Sequence, residues 1–141
     1  KWKVEDGAIV GTGPASHLFT EKGDYRNFRV KMEIQINDKG NSGMYFRTQY
    51  GPGFPMGWEA QVNATGGDPI KTGSLYPDSR QKDLEAIKEL KVLKAAHKPG
   101  EWFTQEVECV GPKITIWVNG EKTVEWTDPT ERFKTGHFAI Q

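Results

Sequence analysis

Residues 28–36, FRVKMEIQI, alternate strictly between apolar and polar side chains. The apolar residues share one side of this segment: Phe28, Val30, Met32, Ile34 and Ile36. A period of two places successive side chains on opposite faces of a β-strand. The segment is therefore predicted to be a strand with one face in a core and the other toward solvent.

The same kind of pattern recurs along the chain. KITIWVNGEKTVEW is predicted to be a hairpin that turns at Asn119 and Gly120, and shorter strand-like segments are separated by turns such as EDG, NDKGN and KPGE. One exception is predicted, a short helix or helical turn near residues 83–91, from the spacing of Leu84, Ile87 and Leu90. With 141 residues, the chain is long enough for a single domain. We predict an all-β, antiparallel β-sandwich.

Composition and charge exclude several functional classes. The 19 basic residues balance 19 acidic ones, so no basic field would attract nucleic acid. No apolar run is long enough for a membrane-spanning helix. Cys109 is the only cysteine and is predicted to be a buried strand thiol. The motifs of phosphate-binding loops, serine hydrolases and zinc proteases are missing from the sequence. We therefore expect no zinc site built from such a motif.

Two charged residues occupy segments that look half-buried. Alternation in SGMYFRTQ places Tyr45 and Arg47 on one face, and alternation in GWEAQVN places Glu59 and Gln61 on one face. Pairing these two segments predicts that Arg47 lies near Glu59. A group of this kind suits sugar recognition, because planar polar groups bind pairs of hydroxyls. The alternative is an ordinary surface ion pair, which contributes roughly 0–1 kcal/mol.

The order of several motifs resembles a known family. KWKVEDGAIVGTG, GNSGMYFRTQ, GWEAQV, KTGSLY, KPGEWFTQEVECVGPKITIWVNG and GHFAIQ follow one another along essentially the whole chain. Together they resemble the 3-keto-disaccharide hydrolase domain family, a branch of the concanavalin A-like lectin/glucanase sandwiches. The resemblance implies a jelly roll with a sugar-binding concave face. It also implies that residues 1–141 form one domain without the outermost N- and C-terminal strands of the family.

The resemblance implies hydrolysis of glycosides already oxidised to a ketone at C3. A 3-ketone acidifies the C2 proton, so a base can remove it, the C1 substituent can leave, and water can add. Under this hypothesis Glu59 acts as base or acid and Arg47 stabilises the enolate. The residues expected to bind substrate are Asn41, Tyr45, Gln61, Tyr76, Trp117 and His137.

Some of these assignments have purely structural alternatives. Trp117 is either a sugar platform or a packing ring, and His137 either joins the polar face or is an ordinary surface or hydrogen-bonded histidine. Asp38, Asn63 and Asp68 lie near turns and are candidates for a calcium site, although no EF-hand loop is present. No other cofactor is implied.

Three functions remain open from the sequence. The favoured one is an enzyme acting on 3-keto-glycosides, and the second is a non-catalytic carbohydrate-binding module. A conventional glucanase is disfavoured, because Glu33 and Asp38 fall on opposite faces of their segment and no row of carboxylates is present. In each case the expected partner is a carbohydrate. We expect a periplasmic or extracellular location.

Overall fold

The computed structural model describes residues 1–78 and 80–141. Within these residues the strands are β1 Trp2–Glu5, β2 Ala8–Gly11, β3 Leu18–Phe19, β4 Phe28–Gln35, β5 Ser42–Thr48, β6 Trp58–Val62, β7 Trp102–Val110, β8 Lys113–Val118, β9 Glu121–Thr127 and β10 His137–Ile140. Sheet I has the order β3-β10-β5-β6, and sheet II has the order β4-β7-β8-β9. β1 and β2 form a separate hairpin. No helix in the described part of the chain has the length and apolarity that crossing a membrane requires.

The two sheets enclose one main core. Sheet I contributes Met44, Phe46, Trp58 and Ala60 from alternate positions of β5 and β6. Sheet II contributes the following buried residues: Val107, Cys109, Ile114, Ile116 and Val124. All strand pairs are antiparallel. The fold is therefore the predicted antiparallel β-sandwich of the jelly-roll type, and Cys109 is a buried thiol as expected.

The β8–β9 hairpin turns where the sequence predicts. Asn119 and Gly120 adopt φ values of 49° and 80°, which is the left-handed backbone that a two-residue hairpin turn requires. The row Ile114, Ile116 and Val118 is buried. Trp102, in contrast, is 61% exposed at the start of β7.

The helical turn predicted near residues 83–91 is of the 3₁₀ type and not α-helical. The segment contains two short 3₁₀ turns, Lys82–Leu84 and Lys88–Leu90, separated by extended backbone at Ile87. Its apolar residues recur every three positions, which matches the 3.0-residue turn of a 3₁₀-helix better than the 3.6-residue turn of an α-helix. Leu84 and Leu90 are nevertheless buried in the core.

Arg47 interrupts the alternation of β5. Between the pairs Tyr45↔Ala139 and Thr48↔His137, β5 holds one more residue than β10, which is a β-bulge. The φ of Arg47 is 48°, so the backbone turns its side chain away from the face that Tyr45 occupies. Gly136 lies directly against this bulge, because a Cβ there would come within 2.5 Å of Thr48 backbone atoms.

The Arg47 side chain is buried in a structural role. Its guanidinium donates to the carbonyl of Arg26, through both Nε at 2.9 Å and Nη2, and to the carbonyl of Phe133 at 3.1 Å. Burial lowers the pKa of this guanidinium. It borders a cavity of about 40 Å³, which is far smaller than a sugar ring needs. The predicted pairing of Arg47 with Glu59 on one face is therefore wrong.

Replacing Arg47 by methionine should destabilise the fold. The substitution leaves two carbonyl groups without their donors, at a cost of about 2–3 kcal/mol in the free energy of unfolding. Urea denaturation measures this loss. The matched control is Arg29→Met, since Arg29 is an exposed arginine that pairs with Glu106 on sheet II and should matter much less. Equal losses in the two variants would contradict the structural role of Arg47.

Candidate functional site

Glu59 lies on the outer face of sheet I. Its neighbours Trp58 and Ala60 point into the core, so alternation directs Glu59 outward. The β5–β6 register places Glu59 opposite Tyr45 and Gln61 opposite Gly43. Pairs directly opposite each other on one face are close enough for their side chains to interact.

Gly43 makes room for the carboxylate of Glu59. A Cβ at position 43 would lie 2.0 Å from Glu59 Oε1, so any side chain larger than hydrogen would displace the carboxylate. The NSG motif in the sequence therefore has a steric reason at its glycine.

A groove of about 820 Å³ opens above this face. Its volume is in the range of small-molecule sites. The residues that line it come from β5, β6, the chain end and the loops on either side: Asn41, Tyr45, Phe54, Glu59, Gln61, Ile70, Tyr76, Pro77, Asp78, Arg80, Glu85, Lys91 and Gln141. Five predicted site residues are thus brought together, namely Asn41, Tyr45, Glu59, Gln61 and Tyr76.

The carboxyl group of Glu59 is unusually basic. Burial, with smaller contributions from the Asp78 and Asp68 carboxylates, raises its pKa to about 7, although hydrogen bonding from the Tyr45 hydroxyl opposes the rise. Among residues 1–78 and 80–141, no lysine, arginine or histidine forms an ion pair with Glu59. A carboxyl group with a pKa near neutrality can both take up and release a proton at physiological pH.

Two tyrosines flank Glu59. Burial and the Glu59 carboxylate raise the pKa of Tyr45, and burial together with hydrogen bonding to Asp68 raises the pKa of Tyr76. Both phenols therefore remain protonated at neutral pH and act as hydrogen-bond donors. The Tyr76 hydroxyl donates to Asp68, and its backbone N–H donates to the Glu59 carbonyl at 2.8 Å. That backbone bond holds the wall of the groove to β6.

An ion pair at the rim connects two loops. Asp78 accepts two hydrogen bonds of 2.6 Å from the Arg80 guanidinium, and this contact lowers the pKa of Asp78. Arg80 also donates to the carbonyl of Pro55 at 3.0 Å. The guanidinium therefore links the 77–81 segment to the loop that carries Phe54.

The calcium candidates lie in or beside the loop of residues 63–72. Asp38 accepts a hydrogen bond from Thr65, and the Asn63 amide donates to the Asp68 carbonyl. The Lys71 ammonium donates to the carbonyls of Gly66 and Asp68 at 2.8 and 2.6 Å. In the described ranges, no cluster of three or more histidine, cysteine or acidic side chains is suited to a metal. Calcium binding stays a prediction.

The remaining two predicted binding residues lie outside the groove lining. Trp117 is on sheet II, where its ring lies under the Arg29 guanidinium at 4.6 Å, so the prediction that it binds substrate at this site is wrong. The physical reason is that its polar neighbours belong to the outer face of the opposite sheet. His137 is held by the Thr20 carbonyl at 2.7 Å from Nδ1 and packs edge-on against Phe19, which matches the alternative of a hydrogen-bonded histidine.

Several groove residues have no signal in the alternation pattern of the sequence. Asp78, Arg80 and Phe54 lie in loops, where alternation gives no direction for a side chain. Gln141 is brought to the groove by pairing of its N–H with the Gly43 carbonyl. The His17 ring lies beside the groove residue Tyr45, with 5.2 Å between the ring centroids. A signal for Asp78 was nevertheless present in the sequence, because Pro77 and Asp78 directly follow the TGSLY motif, which carries the groove residue Tyr76.

The sandwich with this groove belongs to the class of carbohydrate-related β-sandwich domains. The sequence profile of the family described as 3-keto-alpha-glucoside-1,2-lyase-like domain matches residues 1–141. The chain therefore belongs to this family, as the motifs predicted. No curated protein sequence matches the chain significantly.

Solved structures support the fold. A proposed glycosyl hydrolase from Parabacteroides distasonis is 26% identical, with a TM-score of 0.73 over 99% of this chain and 76% of the other. A second proposed glycosyl hydrolase from that organism is 20% identical, with a TM-score of 0.73 over 99% of this chain and 81% of the other. The carbohydrate-binding module CBM66 from Bacillus subtilis is 14% identical, with a TM-score of 0.69 over 99% of this chain and 81% of the other.

Replacing Glu59 by glutamine should stabilise the protein at alkaline pH. The folded pKa of about 7 exceeds the ordinary 4.5, so the fold loses stability as pH rises between these values and recovers none above them. At pH 8 we expect Glu59→Gln to gain about 1–3 kcal/mol in the free energy of unfolding, and clearly less at pH 5. Urea denaturation at both pH values measures this. Glu33→Gln on exposed β4 is the control, and a gain independent of pH would contradict the prediction.

Replacing Gly43 by alanine should move the Glu59 carboxylate without unfolding the domain. The new methyl group would occupy the space beside Oε1, so the carboxylate should turn toward water and its pKa should fall toward its ordinary range. NMR titration of the glutamate side-chain carbon measures that pKa. Gly67→Ala is the control, because a Cβ at position 67 meets no atom within 4 Å. An unchanged pKa in Gly43→Ala would show that the carboxylate does not depend on this space.

Proposed function

We propose that this domain cleaves glycosides that carry a ketone at C3, by elimination across C1 and C2 followed by hydration. The observation that carries the proposal is a half-buried glutamate, Glu59, with a pKa of about 7 in a groove large enough for a glycoside. The family description names a 1,2-lyase, and a lyase of that kind needs a base for the C2 proton.

The proposed first step is proton transfer to Glu59. Its carboxylate removes the C2 proton, and the C–H electron pair forms the C2=C3 double bond while the ketone oxygen becomes an enolate. A ketone at C3 makes this proton acidic enough for a base whose pKa is near 7. At pH values well below 7 Glu59 is protonated, so it cannot act as a base.

Hydrogen-bond donors around Glu59 would stabilise the negative charge of the enolate. The Tyr45 hydroxyl interacts with the carboxylate before the reaction, and it becomes available to another acceptor once Glu59 is protonated. Arg80 is the arginine of the described groove lining, and we assign it the enolate-stabilising role that the family resemblance implied for Arg47. Donors fixed in place before the reaction stabilise developing negative charge most effectively.

The second and third steps complete the cleavage. The C2=C3 electron pair of the enolate forms a C1=C2 double bond, the C3 ketone is restored and the C1–O bond breaks. The leaving oxygen takes the proton held by Glu59 and departs as the free alcohol. Water then adds to C1 of the unsaturated ketone, and C2 regains a proton. The products are the alcohol and a 3-keto-sugar, so the net reaction is hydrolysis. We also propose a periplasmic or extracellular location.

Proton exchange at C2 tests the role of Glu59 directly. In D₂O, wild-type protein should place deuterium at C2 of a 3-keto-glucoside and release the aglycone, with a kcat/KM that falls below about pH 7. Glu59→Gln should lose at least about 100-fold in both exchange and release. NMR follows both reactions in one tube, with Glu33→Gln as the control. Unchanged turnover in Glu59→Gln would eliminate this residue as the base.

The second candidate is a carbohydrate-binding module. The groove carries amide side chains at Asn41, Gln61 and Gln141, which bind sugar hydroxyls without any chemistry. Isothermal titration against ordinary and 3-keto disaccharides, with product analysis of the same mixtures, separates the two functions. Binding of both sugars without product would favour the module.

A further inference from the structure

The groove has two chemically different ends. β5 runs from Ser42 to Thr48 with Asn41 just before it, and the loop that carries Phe54 follows it. Asn41 and Tyr45 are four residues apart, which corresponds to about 13 Å along a strand. Glu59 pairs with Tyr45, so it lies between the two ends of the groove.

The end near Asn41 is polar. Gln61 extends from β6 on the same side. Gln141 is held there by two hydrogen bonds: its N–H donates to the Gly43 carbonyl, and its carbonyl accepts from Ser42 Oγ at 2.6 Å. Three amide side chains therefore line this end. The amides of Asn41 and Gln141 offer both donors and acceptors, which suits the hydroxyls of a sugar ring. The Gln61 amide is buried and already donates to the Ile70 carbonyl at 3.4 Å.

The opposite end is aromatic. The ring of His17 contacts Tyr45 at 5.2 Å and Phe54 at 5.3 Å, with interplanar angles of 88° and 73°. Such edge-to-face contacts are a preferred geometry for aromatic rings. Burial lowers the pKa of His17, so its ring is neutral at pH 7. Phe54 stays 55% exposed although it lines the groove.

The exposed Phe54 ring is held in position from two sides. His17 packs against it, and the backbone next to it is tied to the opposite rim because Arg80 donates to the Pro55 carbonyl at 3.0 Å. An exposed apolar ring that is fixed at the end of a groove loses little conformational freedom when it binds a ligand.

From this asymmetry we infer that the groove takes glycosides with an aromatic aglycone. The sugar lies at the amide end, its C1–C2 bond lies by Glu59, and the aglycone packs on Phe54. This inference deepens the proposed function and rests on it for the orientation of the scissile bond. The preference of the groove for an aromatic aglycone, however, can be measured without any turnover.

Binding of unoxidised sugars tests the preference. Isothermal titration with 4-nitrophenyl α-glucoside and methyl α-glucoside should give at least a tenfold lower Kd for the aryl compound. Phe54→Ala should remove that difference, whereas Phe54→Trp should keep it. The control is Met56→Ala, because Met56 is exposed in the same loop and lies outside the groove lining; it should also keep the difference.

The outcomes separate this inference from the proposed function. Equal affinity of wild type for the two glucosides, no binding of either, or a preference that survives in Phe54→Ala would overturn the aromatic site. A 3-keto aryl glucoside that binds tightly and releases no product would overturn the proposed function and leave the aromatic site standing. Turnover of 3-keto disaccharides and 3-keto aryl glucosides with equal KM would support the function and overturn the inference.

Discussion

The site depends on the pairing of β5 with β6. Buried Phe46 and Trp58 lie opposite each other on the inner face, and this fixes Tyr45 opposite Glu59 on the outer face. A shift of one residue would turn Glu59 into the core and Trp58 toward the groove. Core packing therefore holds the carboxyl group in a place where water is scarce and its pKa is high.

Much of the fold follows from sequence patterns. Alternation identified β4 and the inward rows of β5, β6 and β8, because one face of each strand is buried and the other is not. The hairpin at Asn119 and Gly120 was predictable because few residues tolerate its backbone. The 3₁₀ type of the turns near residues 83–91 was not predictable, because a spacing of three residues also resembles an α-helical face over so short a segment.

The site was only partly predictable, for two physical reasons. Alternation holds until the register breaks, and the bulge at Arg47 has no signal in the side chains around it. It is visible only in the positive φ of Arg47 and in the close approach of Gly136. Alternation also says nothing about which sheet a face belongs to, so Trp117 looked available although it lies on sheet II. The loop residues Phe54 and Arg80 depend on tertiary contacts that a local pattern does not contain.

The hydrogen bond from Arg80 to the Pro55 carbonyl couples the Asp78 carboxylate to the loop that carries Phe54. Arg80 contacts both groups at once, and the Gln81 side-chain amide donates to the Gly57 carbonyl beside them. A ligand group that competes with Arg80 for Asp78 would therefore act on both sides of the groove, whereas the position of Glu59 depends on the strand pairing beneath.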